Sequence, residues 1–334
     1  MRAAIEQFSA AIGADPLLVQ GAGGNISWKE GATLWVKASG TWLAEASQKD
    51  IFVPVDLAHL QNALASGDFS AGPRPVGPSA LRPSIETLLH ALMPHPVVAH
   101  LHAVDILAHL VRADFPHTIA KTLADAGISW VGVPYCKPGA DLARAVAEGL
   151  VRVPGADVVM LQNHGVVIGG RDVAELRETL GRLTGLLRSP GSVAAPPPDI
   201  VISGRLAEHY APVPDAAIHQ LAVIPALFGR LEKDWALYPD HVVFLGARPV
   251  CVRCEADFLE AFPDPAQWPE ILFLEGRGVL AKKGLGLATL VQLRCYYDVL
   301  VRVDSAVPLN VLVTAQIAEL LNWDAEKYRM SISK

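Results

Sequence analysis

The stretch Val97-Val98-Ala99-His100-Leu101-His102-Ala103-Val104-Asp105 decides how the rest of the chain is read. Apart from His100, its first five residues are apolar or β-branched, and Pro94 and Pro96 stand just before them. That pattern predicts a buried strand. Alternation along a strand puts His100 and His102 on one face and Leu101 on the other. Two imidazoles held side by side by rigid backbone are half of a metal site; a hydrogen-bonded pair of core histidines is the competing reading.

Working outward, residues 157–162, Asn163-His164-Gly165 and 166–170 read as a strand, a tight turn and a strand. His164 at the turn tip is placed to reach His100 and His102, and three histidines plus water or substrate is the count of a catalytic zinc site. Upstream, Ser84 reads as the cap of a helix running from Ile85 to about Met93. Glu86 falls in its first turn, either as an acid/base or as a favourable charge at the helix end. His90 reads as a structural hydrogen-bonder. Residues 21–27, Gly-Ala-Gly-Gly-Asn-Ile-Ser, form a glycine-rich turn able to make an anion nest. It lacks the G-x-G-x-x-G spacing that opens a dinucleotide-binding helix. A strand at residues 33–36 runs into a second turn, Lys37-Ala38-Ser39-Gly40-Thr41. The two turns can cradle one phosphate with Lys37 as the point charge; plain turns and a solvated lysine are the alternative.

Helices are expected at residues 3–13, 105–110, 141–151 and 172–187, and a short strand at 129–134. Tyr135 opens the next loop, as a packing residue or a proton donor. Residues 189–200 carry Ser-Pro-Gly-Ser and Pro-Pro-Pro, the composition of a linker. Beyond it, 216–233 reads as mostly helical and 240–246 as a strand. Residues 271–281 echo 158–168, with Arg277 where His164 stands, and each is followed by a long helix. Helices at 311–321 and 323–330 close the chain. The expected organisation is a metal-binding catalytic domain, 1–188, and a smaller α/β module, 201–334. The module is a degenerate partial repeat or a chance hairpin likeness, and its role is open.

Composition limits the function classes. The chain has 334 residues, 51% hydrophobic and 19% charged, with a formal net charge of -6. It is long enough for two folded domains, and its charge argues against a nucleic-acid or membrane-surface partner. Its apolar runs are too short to span a bilayer. The start, Met1-Arg2-Ala3-Ala4-Ile5-Glu6, reads as a helix, not a signal peptide. Four cysteines make no disulfide framework, so a cytoplasmic setting is expected. Cys251 and Cys254 read as small buried residues.

Together, Gly24-Asn25-Ile26-Ser27, Ala38-Ser39-Gly40, Pro83-Ser84-Ile85-Glu86 with His90, His100-Leu101-His102 and Asn163-His164-Gly165 resemble the class II aldolase/adducin family, in the family's order and over roughly residues 1–190. Residues 36–40 and 82–86 look most like the aldolase half of bifunctional rhamnulose-phosphate aldolase/lactaldehyde dehydrogenases, as does Tyr238-Pro239-Asp240-His241. No dinucleotide fingerprint is present, so a dehydrogenase region is not expected. The resemblance implies an α/β/α sandwich around a largely antiparallel sheet, in a homo-oligomer, tetramer or dimer. It implies Zn2+ on His100, His102 and His164, with Glu86 as acid/base. It implies a substrate phosphate held by the turns carrying Asn25, Lys37, Ser39 and Gly40, together with Ser84. Tyr135 would donate a proton from the neighbouring subunit. Cleaving a bond beside a carbonyl leaves an enediolate, which a divalent cation and a nearby carboxylate suit; no lysine stands in a context that demands a Schiff base. The expected reaction is cleavage of a ketose 1-phosphate to dihydroxyacetone phosphate and an aldehyde. A dehydratase, epimerase or decarboxylase on a related sugar acid, or a non-catalytic adducin-like assembly module, are the alternatives. Ala38 departs from the proline that many members carry.

Overall fold

The His-x-His stretch lies in the middle of a seven-stranded sheet. A computed structural model describes every residue except 192–199, 203, 333 and 334. The strands are β1 (Asn25–Glu30), β2 (Thr33–Lys37), β3 (Phe52–Asp56), β4 (Val97–Leu101), β5 (Trp130–Val133), β6 (Val158–Leu161) and β7 (Gly165–Gly170). They are ordered β3-β2-β1-β4-β7-β6-β5. Only β5 and β6 run parallel; the other pairs are antiparallel. His100 on β4 stands opposite Asn25 on β1 and Val167 on β7.

Every residue of β4 is buried, because both faces of the sheet are covered. On one side Val97, Ala99 and Leu101 pack with Phe8, Leu107, Leu176 and Leu183. These come from the helices Arg2–Gly13, Val104–Leu110 and Val173–Leu186. On the other side Val98 packs with Leu89, Leu142 and Val146 from the helices Thr87–Leu92 and Ala140–Arg152. The result is the α/β/α sandwich with a largely antiparallel sheet that the sequence leads one to expect.

Three local expectations need correction. The helix expected from Ile85 begins at Thr87, with Glu86 just outside it. Ser84 is the reason: its hydroxyl accepts from the Glu86 amide at 3.2 Å and its carbonyl accepts from the Thr87 hydroxyl at 2.5 Å, forming a local turn that competes with the helix. The strand expected at 240–246 is a helix, Pro239–Leu245, started by Pro239 and ended by Gly246 at φ 84°. A short apolar run does not by itself separate the two structures. The glycine-rich turn is also shorter than expected: Asn25 already belongs to β1, and Gly24 at φ 62° makes the bend.

The second half carries a smaller sheet, β8 (Tyr210–Pro212), β9 (Cys251–Val252), β10 (Ile271–Leu274) and β11 (Gly278–Lys282), ordered β8-β11-β10-β9. The hairpin of β10 and β11 and the helix Leu287–Leu300 after it match the expected echo, and Arg277 in the hairpin faces Glu255 at 3.8 Å. Most of the expected linker, 192–199, lies outside the described residues. One hydrophobic core runs from Ile5 through β4 to Tyr296 and Leu320, so the two halves share it. Among the described residues all four cysteines are free thiols, and no helix is long and apolar enough to cross a membrane.

Candidate functional site

The site forms where the end of β4 meets the turn between β6 and β7. Asn163 in that turn has φ 53°, a left-handed conformation that asparagine tolerates better than most residues. Its side chain is clamped by the second half of the chain. The Asn163 amide donates to the carbonyls of Leu237 at 2.7 Å and Asn310 at 2.6 Å, and the Asn310 amide donates to Asn163 Oδ1 at 2.6 Å. Gly165 follows because a Cβ there would lie 2.4 Å from the Leu101 carbonyl and within 3.2 Å of both the His100 and His102 rings.

This close approach brings His164 onto His100 and His102. Ring centroids are 5.0, 4.8 and 5.4 Å apart, and one nitrogen from each ring lies within 4.8 Å of the others. His100 Nδ1 is 3.2 Å from the Val166 carbonyl, which leaves Nε2 to face His102 Nε2 at 3.1 Å. Burial holds His100 down to about 4 and His164 down to about 3, so both are neutral near pH 7. Neutral imidazole is the form that binds metal, and three imidazole nitrogens converging in a buried pocket fit a divalent cation such as zinc.

Glu86 closes the fourth side. Its Oε1 lies 3.3 Å from His164 Nε2 and its Oε2 lies 3.5 Å from His100 Nε2. Oε1 is buried and has no hydrogen-bond donor. Oε2 accepts from the Asn25 amide at 2.8 Å. Asn25 Oδ1 meets His90 Nε2, and His90 Nδ1 lies 2.8 Å from the Ser27 hydroxyl. The directions along these bonds are fixed: Ser27 donates to His90, His90 to Asn25, and Asn25 to the carboxylate. His90 is therefore the structural hydrogen-bonder it was expected to be. Burial raises the Glu86 pKa, and His100, His164, His102 and the Asn25 amide outweigh it, holding the carboxyl below its ordinary range.

The other expected residues fare unevenly. Asn25, Lys37, Ser39 and Gly40 line one small cavity with Glu86, His102 and His164. Lys37 is buried, which removes the solvated-lysine reading. Its ammonium faces the carbonyls of Ala22 at 3.2 Å, Ala38 at 3.5 Å and Thr41 at 2.6 Å. Lys37 thus ties the two glycine turns together rather than pointing a free charge at a ligand. Burial and Arg329 hold its pKa down to about 7. Ser84 does not line the cavity; it shapes the turn that presents Glu86. Tyr135 does not line it either. Its buried hydroxyl has no hydrogen-bond partner among the described residues, and burial with Glu319 nearby raises its pKa.

Three charged residues of the second half, Asp240, Glu326 and Arg329, complete the lining with Pro239. Asp240 Oδ2 lies 3.4 Å from His102 Nδ1. Arg329 grips both Asp240 oxygens at 2.7 Å and faces Glu326 Oε2 at 3.3 Å. Burial opposes the Asp240 charge, and Arg329 and His102 outweigh it and hold its carboxyl well below the ordinary range. Sequence reading missed all three. The Tyr238-Pro239-Asp240-His241 motif was the available signal for Asp240; the i, i+3 spacing of Glu326 and Arg329 carried none.

Residues 10–188 match the family model described as Class II Aldolase and Adducin N-terminal domain. A curated relative, the uncharacterized oxidoreductase YuxG of Bacillus subtilis, is 28% identical over 258 residues, 69% of this chain. The chain spans 35% of that relative's length. The N-terminal class II aldolase domain of a conserved protein from Thermoplasma acidophilum superposes with TM-score 0.46 at 29% identity, covering 55% of this chain and 90% of that one. An L-fuculose-1-phosphate aldolase from Thermus thermophilus gives TM-score 0.37 at 20% identity, covering 56% and 92%.

Proposed function

The chain belongs to the class II aldolase and adducin family, and from that premise we propose that it is a metal-dependent aldolase. The proposed substrate is a ketose 1-phosphate and the products are dihydroxyacetone phosphate and an aldehyde. The observation that carries this reading is the convergence of His100, His102 and His164 beside the undonated Glu86 oxygen.

The three histidines would hold a divalent cation, zinc by their donor set. When bound, such a cation supplies Lewis acidity against the negative charge that develops beside a carbonyl. The remaining work falls to the chain's own groups. In the cleavage direction the hydroxyl on the carbon that becomes the aldehyde gives up its proton as the carbon–carbon bond breaks. The electron pair stays on the carbon beside the ketone and takes a proton there. Glu86 Oε1, ionised at rest, takes up the hydroxyl proton and returns it to that carbon, because Oε2 is fixed by Asn25 and Oε1 is open. The Gly24 and Gly40 amides of the two turns, with the Ser39 hydroxyl, receive the phosphate, since the Gly23 and Ser39 amides already donate to the Gln20 and Arg82 carbonyls, and Lys37 keeps the turns in register. Tyr135 of the neighbouring subunit relays the hydroxyl proton, giving up its phenol proton as it takes the hydroxyl's, so that it ends the step protonated as it began.

The test is a screen of zinc-loaded protein against ketose 1-phosphates for released dihydroxyacetone phosphate. His100→Ala and His164→Ala should each lose zinc and turnover together. Undiminished turnover by a zinc-free preparation would overturn the reading. A chain that binds no zinc and acts on no ketose phosphate would fit the adducin-like alternative instead.

A further inference from the structure

His102 differs from its partner on β4. The Nδ1 of His100 is aligned by a main-chain carbonyl. The Nδ1 of His102 is buried, makes no aligned hydrogen bond, and has the Asp240 carboxylate 3.4 Å away. Histidines that hold a metal almost always give their other ring N–H to a carboxylate or carbonyl, which fixes both tautomer and ring plane.

We propose that Asp240, on the C-terminal half of the chain, is the positioning residue that aims His102 at the metal, and that Arg329 on the terminal helix holds Asp240 in place for this. The supports are independent. Asp240 is 2% exposed, and Arg329 binds both of its oxygens at 2.7 Å. Gln292 adds a third donor at 3.3 Å. An ionised group buried and braced on this scale is costly to the fold, and a partner at the metal accounts for it. Gly23 supplies the second line. A Cβ at position 23 would stand 3.0 Å from Asp240 Oδ2 and 3.1 Å from His102 Nδ1. The glycine-rich turn therefore opens where the carboxylate and the ring meet. The C-terminal module thereby gains a role: it supplies the outer support of a site whose ligands come from the first half.

The inference rests on the reading that His100, His102 and His164 hold a divalent cation. Its test is the zinc dissociation constant of the full chain, measured by chelator competition, alongside the melting temperature of the zinc-free protein. Asp240→Asn should weaken zinc by about 10- to 100-fold and also lower the zinc-free melting temperature, because the buried Arg329 loses one of its two carboxylate partners. Arg329→Lys should weaken it less. The double variant should bind no worse than Asp240→Asn alone, because Arg329 acts only through Asp240. If Asp240→Asn does not fold, Asp240→Glu keeps the charge for Arg329 and displaces the carboxylate, and should also weaken zinc. Zinc affinity within twofold of the parent in a folded Asp240 variant overturns this inference and leaves the aldolase reading standing. A parent chain that binds no zinc overturns both.

Discussion

Glu86 has one oxygen fixed and one open, and that asymmetry is set by hydrogen-bond directions rather than by charge. Asn25 can turn its amide to Glu86 only because His90 holds its carbonyl oxygen, and His90 can donate there only because Ser27 satisfies its other nitrogen. Replacing Glu86 by Gln keeps the size and much of this geometry but removes the base. The expected outcome is zinc affinity within a few-fold of the parent and turnover lower by about 10^2 to 10^4. Steady-state kinetics with a zinc titration checks it; an unaltered rate would remove the assigned role. The ligands and this carboxylate were legible in the sequence because their chemistry demands particular residue types in short local patterns. Asp240 was not read as part of the site: its Tyr-Pro-Asp-His motif was visible, but its place beside His102 comes from packing between distant parts of the chain. For Lys37 the sequence left a phosphate contact and a solvated lysine open, and it could not show that the carbonyls of Ala22, Ala38 and Thr41 surround the ammonium.

Among the elements, β4 and the hairpin of β6 and β7 were readable from short apolar, β-branched runs bounded by proline or glycine turns, and the helix Pro239–Leu245 was not. Its seven residues are too few to show a helical period, and its apolar run suits a buried strand equally well. The turn at Asn163 shows what an element adds to a ligand. It combines a left-handed backbone with three hydrogen bonds to the second half of the chain. Two variants separate these contributions. Asn163→Gly keeps the backbone freedom and loses the bonds; Asn163→Ala loses both. Asn163→Gly is expected to lower unfolding free energy by about 1–3 kcal/mol, and Asn163→Ala by about 1 kcal/mol more, the left-handed penalty of a residue with a Cβ. Both should weaken zinc, since His164 rides on the turn. Chemical denaturation of the zinc-free protein, read beside zinc affinity, checks the order; equal stability of the two variants would mean that the backbone conformation carries no strain.

For the whole molecule, the question is whether the first half can build the site alone. The shared core argues against it. Helix Val104–Leu110, directly after the His-x-His strand, packs against helix Leu287–Leu300, and Leu107 and Leu110 share their cluster with Leu293 and Tyr296. Removing the second half would bare this face and free the Asn163 clamp and Asp240 at once. The terminal helix Asp324–Ile332 is a smaller perturbation of the same kind. Its buried residues are Glu326 and Arg329, so it docks largely through charge. It covers a cavity of about 30 Å3, and Ile332 lies where a Cβ on Gly40 would touch it at 3.0 Å. A space of that size holds about one water, too little for a sugar phosphate in this conformation. A graded pair of truncations follows. Deleting 324–334 should leave the sheet folded by circular dichroism, enlarge access to the cavity, and weaken zinc about as much as Asp240→Asn, because Arg329 goes with it. The fragment 1–191 should be poorly soluble or molten and bind zinc more weakly still. Zinc binding by fragment 1–191 equal to that of the full chain would show that the ligand-bearing half is self-sufficient and that the contacts from Asp240 and Asn310 are packing alone.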